Sequence, residues 1–370
     1  MFAALADDVY RKQMTVTGTH KTIPEIQYLR MIAVLLVAIA HLYQANVRFF
    51  PQPLLGDFAY AGFGGVDVFF VVSGFIIHHL YSRKSAPGWR YYVNRLNRIL
   101  PLYWFFTALA VAGYWVMGDS LTSDIGELDI WASLLLLPTG APPILVIGWT
   151  LTHELYFYLA FGLMMLAPPA MRGWAAGVWA GASVIMALQS EPLASPWLTL
   201  IFSPFNLLFL AGTMLSAHYR HLDRFRWPLL TLAIAGAGLA MVWTGSQGLA
   251  GIENRTIRVA IFLPFAVGLS GSLLAWAPRW PKLAARIGDW SYSIYLSHIL
   301  VIGVMARLLA TAAAEQAWSG WLLYPACLAA CLLVGAISHY GVERPILLRL
   351  KSLINQTRTA APAAPARETD

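Results

Sequence analysis

Long apolar stretches alternate with short polar segments along almost the whole chain. About ten of these stretches approach or reach the roughly 17–25 residues with which an α-helix crosses about 30 Å of hydrocarbon. They lie at residues 28–46, 62–81, 100–117, 149–168, 174–189, 197–217, 227–244, 257–276, 290–309 and 318–340. The pattern predicts an all-α polytopic membrane protein with about ten transmembrane helices.

The composition supports a single membrane domain. Hydrophobic residues make up 58% of the 370 residues and charged residues only 12%, whereas soluble domains carry about 25% charged residues. The first 25 residues are polar, and the chain ends in an Ala- and Pro-rich tail. We therefore expect a cytoplasmic N-terminal segment over 1–25, a membrane domain over 26–345 and a disordered cytoplasmic tail over 346–370.

The distribution of basic residues predicts the orientation. If the N-terminus lies in the cytoplasm, all 25 Lys and Arg residues fall on the inner side except Arg48, Arg255, Arg258 and Arg307. The positive-inside rule therefore favours a topology with both termini in the cytoplasm, and we expect the membrane to be a bacterial inner membrane. Because this asymmetry accounts for the net charge of +7, no nucleic-acid partner is implied.

Ionisable residues within predicted spans are functional candidates because burying a charge at membrane depth is costly. His41 lies about 20 Å above the cytoplasmic end of its span, and Asp67 and Glu154 lie about 7 Å below the outer ends of theirs. The three side chains would thus share one depth in the outer half of the bilayer. We interpret His41, Asp67 and Glu154 as catalytic candidates, with either carboxylate as the partner of the imidazole. A histidine that only packs between helices is the alternative.

Two further patterns describe the surroundings of this candidate centre. Arg30 and His41 are 11 residues apart, which places them on nearly one helix face. Tyr292, Tyr295 and His298 recur every three residues and form a polar stripe on a later span. No set of His, Cys and Asp residues has metal-ligand spacing on one helix, so we do not expect a metal enzyme.

Six motifs in order resemble the acyltransferase 3 family of integral-membrane acyltransferases, and the resemblance covers about residues 22–347. They are Arg30-MIAVLLVAIA-His41, Gly65-VDVFFVVSGF, Arg95-LNRILPLY, Trp149-TLTHELYFY, Trp290-SYSIYLSH and Val342-ERP. The opening segment and the Trp149 motif look most like the subgroup that decorates exopolysaccharide and O-antigen.

The resemblance implies transfer of an acyl group, usually acetyl, from cytoplasmic acyl-CoA to a carbohydrate hydroxyl, with no bound cofactor. Guanidinium groups suit CoA phosphates, so we expect Arg30, Arg95 and Arg98 to bind acyl-CoA. The alternative for Arg95 and Arg98 is simple positive-inside anchoring. His41 would act as general base or carry the acyl group itself. We expect further residues to line the substrate path: Ser73, Tyr103, Trp149, Tyr295 and His298.

A proton-coupled transporter or flippase of a polysaccharide precursor is the main competing function, because such carriers also use intramembrane carboxylates and histidines. A non-catalytic scaffold of a polysaccharide-assembly complex is a weaker alternative. The expected partners are acyl-CoA, a carbohydrate acceptor and membrane lipid. Polysaccharide-assembly proteins or a second copy of the chain are further candidates, and the sequence leaves the acceptor and the acyl chain open.

Overall fold

A computed structural model describes residues 23–50, 53–82, 88–117, 129–189, 193, 195–313 and 319–359. The described part of the chain contains thirteen α-helices, a few short 3-10 and π-helical turns, and no strands. The α-helices are α1 Pro24–Phe49, α2 Gly64–Tyr81, α3 Trp89–Met117, α4 Ile130–Leu135, α5 Gly148–Met164, α6 Pro169–Ala187, α7 Pro196–Ile201, α8 Asn206–Ala217, α9 Arg226–Gln247, α10 Arg255–Trp276, α11 Lys282–Ala313, α12 Ser319–Ser338 and α13 Arg344–Thr359.

The prediction of an all-α polytopic membrane protein is confirmed. Within the described residues, eight helical segments are long and apolar enough to cross a membrane. The predicted spans at 149–168 and 174–189 also fold as helices, α5 of 17 residues and α6 of 19 residues, but neither belongs to those eight. Together with these two shorter or less apolar helices, the predicted spans at all ten positions fold as helices.

Close helix packing holds the early helices around the centre of the bundle. Helix α1 packs along α2 and α11, and α2 packs along α8. A Cβ atom on Gly74 would overlap the carbonyl oxygen of Phe209, and one on Gly212 would overlap that of Val71. Glycines on both helices therefore allow the two backbones to touch, as small residues commonly do in membrane bundles.

The two ends of the chain lie only partly within the described residues. Residues 1–22 of the predicted N-terminal segment and residues 360–370 of the predicted tail lie outside them. Residues 346–359, predicted to be disordered, instead continue as helix α13. Leu347, Leu350 and Ile354 recur at helical spacing on its less exposed side, with Arg349 and Lys351 exposed. That amphipathic pattern favours a helix, whereas the prediction relied on the Ala- and Pro-rich end.

Candidate active site

Five helices enclose a cavity that is partly open at the protein surface. Helices α1, α2, α3, α5 and α11 all contribute to its wall. The polar part of the lining includes Arg30, Arg95, Arg98, Glu154 and Ser73. Apolar side chains from α2 and α5 cover much of the remainder. The five polar residues come from four motifs that lie far apart in the sequence, and the fold brings them to one place.

The three arginines predicted to bind acyl-CoA all line this cavity. The Arg95 guanidinium lies 5.6 Å from the ring centroids of both Tyr81 and Tyr158, and its Nη2 is 3.4 Å from the Tyr81 hydroxyl. Its buried Nε has no hydrogen-bond partner among the described residues. Arg30 Nη1 donates to Gln27 Oε1 at 3.2 Å. The rings orient Arg95 while leaving donor capacity for an anionic ligand.

Glu154 lies in the arginine-lined cavity, hydrogen-bonded to two hydroxyl groups. Its Oε1 accepts from Ser73 Oγ at 2.8 Å and from the Tyr158 hydroxyl. The Ser73 and Tyr158 hydroxyl oxygens are also 2.8 Å apart, so the three groups lie in mutual contact. Tyr158 follows Glu154 by one helical turn, and Ser73 reaches them from α2. This network places a carboxylate among the cavity arginines.

His41 is in contact with another histidine. His41 Nδ1 lies 3.0 Å from the Val37 carbonyl oxygen and 3.2 Å from His298 Nε2. His298 is fully buried, and its Nδ1 lies 2.6 Å from the Tyr295 carbonyl oxygen. The Phe63 ring packs edge-on against His41 with centroids 4.8 Å apart. His41 itself keeps part of its surface accessible.

Asp67 pairs with Arg258, which sequence reasoning had assigned to the outer edge. Arg258 Nη2 lies 3.1 Å from Asp67 Oδ2 and also donates to the Phe63 carbonyl oxygen at 3.1 Å. Both side chains are buried, at 10% and 0% exposure. Trp149 and Phe205 each lie 5.5 Å from the guanidinium. An intramembrane carboxylate requires a partner, so the solitary Asp67 was the signal that could have identified Arg258.

The structure therefore differs from the expectation that a carboxylate would partner His41. Among the described residues, the hydrogen bonds of Asp67 and Glu154 go to Arg258, Ser73 and Tyr158 instead. Matched depth along separate helices does not specify how each helix is rotated or which helices are neighbours. The partner of His41 is His298 on α11. The sequence analysis had expected His298 to line the substrate path.

The remaining predicted path residues divide into two groups. Tyr295 lines the cavity, its hydroxyl lies 2.8 Å from Thr150 Oγ1, and its ring centroid is 5.6 Å from that of His298. Tyr295 thus lies between the cavity and the histidine pair. Tyr103 is fully buried and donates to the Ser133 carbonyl oxygen at 2.8 Å. Trp149 packs beside Arg258, and neither Tyr103 nor Trp149 belongs to the lining of this cavity.

Comparison with known proteins agrees with the family resemblance seen in the sequence motifs. A family model described as an acyltransferase domain matches residues 23–340. The exopolysaccharide production protein ExoZ of Rhizobium meliloti is 30% identical over 303 residues, covering 78% of this chain and 90% of ExoZ. Acyltransferase MdmB of Streptomyces mycarofaciens is 26% identical, covering 88% of this chain and 92% of MdmB.

A shorter match is to a protein named for the modification of peptidoglycan. The peptidoglycan O-acetyltransferase OatA of Listeria monocytogenes is 25% identical over 250 residues, covering 62% of this chain and 35% of OatA. No solved structure matches this chain. The family model spans most of the sequence, including every motif from Arg30 to His298. The chain belongs to the acyltransferase 3 family of membrane acyltransferases.

Proposed function

We propose that this protein is an inner-membrane O-acyltransferase that moves an acyl group from acyl-CoA, bound from the cytoplasm, to a hydroxyl of a cell-surface or exported carbohydrate. Acetyl is the group we expect. The observation that carries the proposal is the arginine-lined cavity, which extends to Tyr295 beside the His41–His298 pair. Family membership favours acyl transfer over the transporter considered from the sequence.

The cavity lining matches the two chemical halves of acyl-CoA. Arg30, Arg95 and Arg98 supply charged donors for the phosphates at one part of the wall, and bidentate guanidinium contacts suit such groups. Phe69, Phe70 and other apolar side chains line the rest, which suits the less polar pantetheine arm and the acyl group. We infer that the nucleotide stays at the cytoplasmic mouth, in accord with the concentration of Lys and Arg on that side.

The chemical step uses the His41 imidazole as general base. The imidazole takes the proton of the acceptor hydroxyl, and the oxygen attacks the thioester carbonyl carbon. The C–S bond then breaks, the acyl group remains on the carbohydrate oxygen, and the CoA thiolate recovers the proton from the imidazolium. Tyr295 lines the cavity next to His298, so the acyl end must pass this side chain to reach His41.

The carbohydrate acceptor is proposed to approach from the outer side. His41 lies in the second half of α1, which runs outward if the N-terminus is cytoplasmic. The relative named for exopolysaccharide production covers 78% of this chain, and it supports an exported polysaccharide as the acceptor class. Proteins of polysaccharide assembly are the partners that would present such an acceptor.

Mass spectrometry of cell-surface glycans tests the proposal. Glycans from cells that carry the gene should contain O-acyl groups that are absent after deletion and restored by the wild-type gene. The His41→Ala variant, at equal membrane abundance, should not restore them. Identical glycans with and without the gene, or full restoration by His41→Ala, would contradict the proposed function.

A further inference from the structure

The contact between His41 and His298 involves one nitrogen of each ring. His41 Nδ1 is within hydrogen-bonding distance of the Val37 carbonyl oxygen and of His298 Nε2, at 3.0 and 3.2 Å. His298 Nδ1 is 2.6 Å from the Tyr295 carbonyl oxygen. Each ring thus has its Nδ1 beside a carbonyl oxygen of its own helix. Carbonyl oxygens only accept hydrogen bonds, so these two contacts constrain where the protons are.

For two neutral rings, one arrangement of protons satisfies all three contacts. A proton on His298 Nδ1 donates to Tyr295 and leaves His298 Nε2 as an acceptor. A proton on His41 Nδ1 then donates toward both Val37 and His298 Nε2. The opposite tautomers would direct a lone pair of each ring at a carbonyl oxygen, which is unfavourable where His298 is fully buried. His41 Nε2 is left with a free lone pair.

We propose that His298 is a positioning residue for acyl transfer, which together with the Val37 carbonyl oxygen accepts the Nδ1–H of His41, orients the ring and so makes His41 Nε2 the basic nitrogen. This inference rests on the proposed function, because it assigns the nitrogen that takes the hydroxyl proton. The proton moves from the acceptor oxygen to His41 Nε2 and later to the CoA sulfur. The Nδ1–H stays bonded to His298 throughout, so His298 gains no proton.

A neutral acceptor in this position differs from the carboxylate of a Ser-His-Asp triad. Both fix the tautomer and orientation of the base. The Asp67 carboxylate pairs with Arg258 at 3.1 Å. The Glu154 carboxylate accepts hydrogen bonds from Ser73 and Tyr158. His298 is fully buried, as are its neighbours Ile294 and Ser297 on α11, so the acceptor has little freedom to move. When His41 takes up a proton, its positive charge therefore lies beside the lone pair of His298 Nε2.

Two replacements of His298 separate positioning from packing. Asparagine carries its amide nitrogen where Nδ1 lies, so it can keep the bond to Tyr295 but presents no acceptor at the Nε2 position. Glutamine extends to the Nε2 position and can offer its amide oxygen to His41. We expect His298→Asn to lower kcat by at least about 100-fold, the lower end of what a general base contributes, and His298→Gln by no more than about tenfold.

The measurement uses the full chain in membranes, with acetyl-CoA as donor and polysaccharide from cells lacking the gene as acceptor. KM for acetyl-CoA should stay within about threefold of wild type in both variants, because His298 does not line the arginine cavity. His218, an exposed histidine with the same Nδ1 contact to a carbonyl oxygen one turn earlier, at 3.0 Å, is the matched control. His218→Asn should leave kcat unchanged.

The outcomes distinguish this proposal from the function on which it rests. Equal kcat losses in His298→Asn and His298→Gln, or a smaller loss in the asparagine variant, would overturn the positioning role. Inactive His41→Ala with fully active His298→Asn would also overturn it while leaving the acyltransferase function intact. Full activity of the His41→Ala variant would instead show that His41 is not the general base. Melting temperatures of the purified variants, expected to match within a few degrees, establish that each has folded.

Discussion

At the residue scale, the sequence predicts the grouping of the arginines better than the contact between the histidines. Arg30, Arg95 and Arg98 were predicted to bind one ligand, acyl-CoA, and all three line one cavity. For His41 the sequence supplied the residue but not its neighbour. The sequence placed His298 on a polar stripe of one helix face. Its 3.2 Å contact with His41 depends on how α1 and α11 are rotated, which periodicity within one helix does not encode.

Arg95 offers a direct test of donor recognition. Arg95→Ala should raise KM for acetyl-CoA by at least about tenfold with a smaller effect on kcat, because a charge-assisted contact contributes about 1.5–3 kcal/mol. Arg95→Lys keeps the charge but loses the planar group between Tyr81 and Tyr158, so it should fall between alanine and wild type. Steady-state kinetics in membranes measures both.

Arg90 lies earlier on α3 and is the matched control for Arg95. Its guanidinium carbon lies 5.7 Å from the centroid of the Trp89 ring. Arg90 does not line the cavity, so Arg90→Ala should leave KM within about twofold. Equal KM values for Arg95→Ala and wild type, with altered membrane orientation, would assign Arg95 to positive-inside anchoring instead.

At the element scale, buried polar and small residues decide which helices are neighbours. Asp67 on α2 bonds Arg258 on α10, and Gly74 on α2 lets α8 approach. Apolar periodicity predicted most of these helices within a few residues. It missed the pairing of Asp67 with Arg258, because Arg258 was counted among outer-edge charges.

The Asp67–Arg258 pair should behave as a helix bridge. Removing one partner of a buried pair leaves an uncompensated charge and costs about 3–5 kcal/mol, whereas replacing both by apolar residues of similar volume costs much less. We therefore expect Asp67→Leu and Arg258→Met each to lower the melting temperature of the purified protein strongly. The double variant should melt closer to wild type than either single variant does. Additive losses would contradict the bridge.

The approach of α2 to α8 has an equally simple test. Gly74→Ala adds a Cβ that overlaps the Phe209 carbonyl oxygen, so it should destabilise the protein by about 2 kcal/mol or more. Gly238→Ala, on α9, meets nothing within 4 Å and gains helix propensity. Its melting temperature should equal or exceed that of wild type. A Gly74→Ala protein as stable as Gly238→Ala would contradict the backbone contact.

At the scale of the whole molecule, the bundle joins an arginine-lined cavity to a histidine pair through Tyr295. Family and fold class could be predicted from the sequence, because motif order and span-length apolar runs are properties of the linear chain. The cavity could not, since it is formed by residues of five helices. The sequence predicts which side chains carry chemistry, and the packing of the helices determines which of them meet.

Sidedness of transfer tests the central claim most directly. Membrane vesicles of known orientation, loaded with polysaccharide acceptor on the outer-leaflet side, are given acetyl-CoA labelled in the acetyl group. We expect label on the polysaccharide only when the donor contacts the cytoplasmic face, and none with His41→Ala. Equal labelling from either face, or labelling that persists without His41, would contradict a route from the arginine-lined cavity to the imidazole.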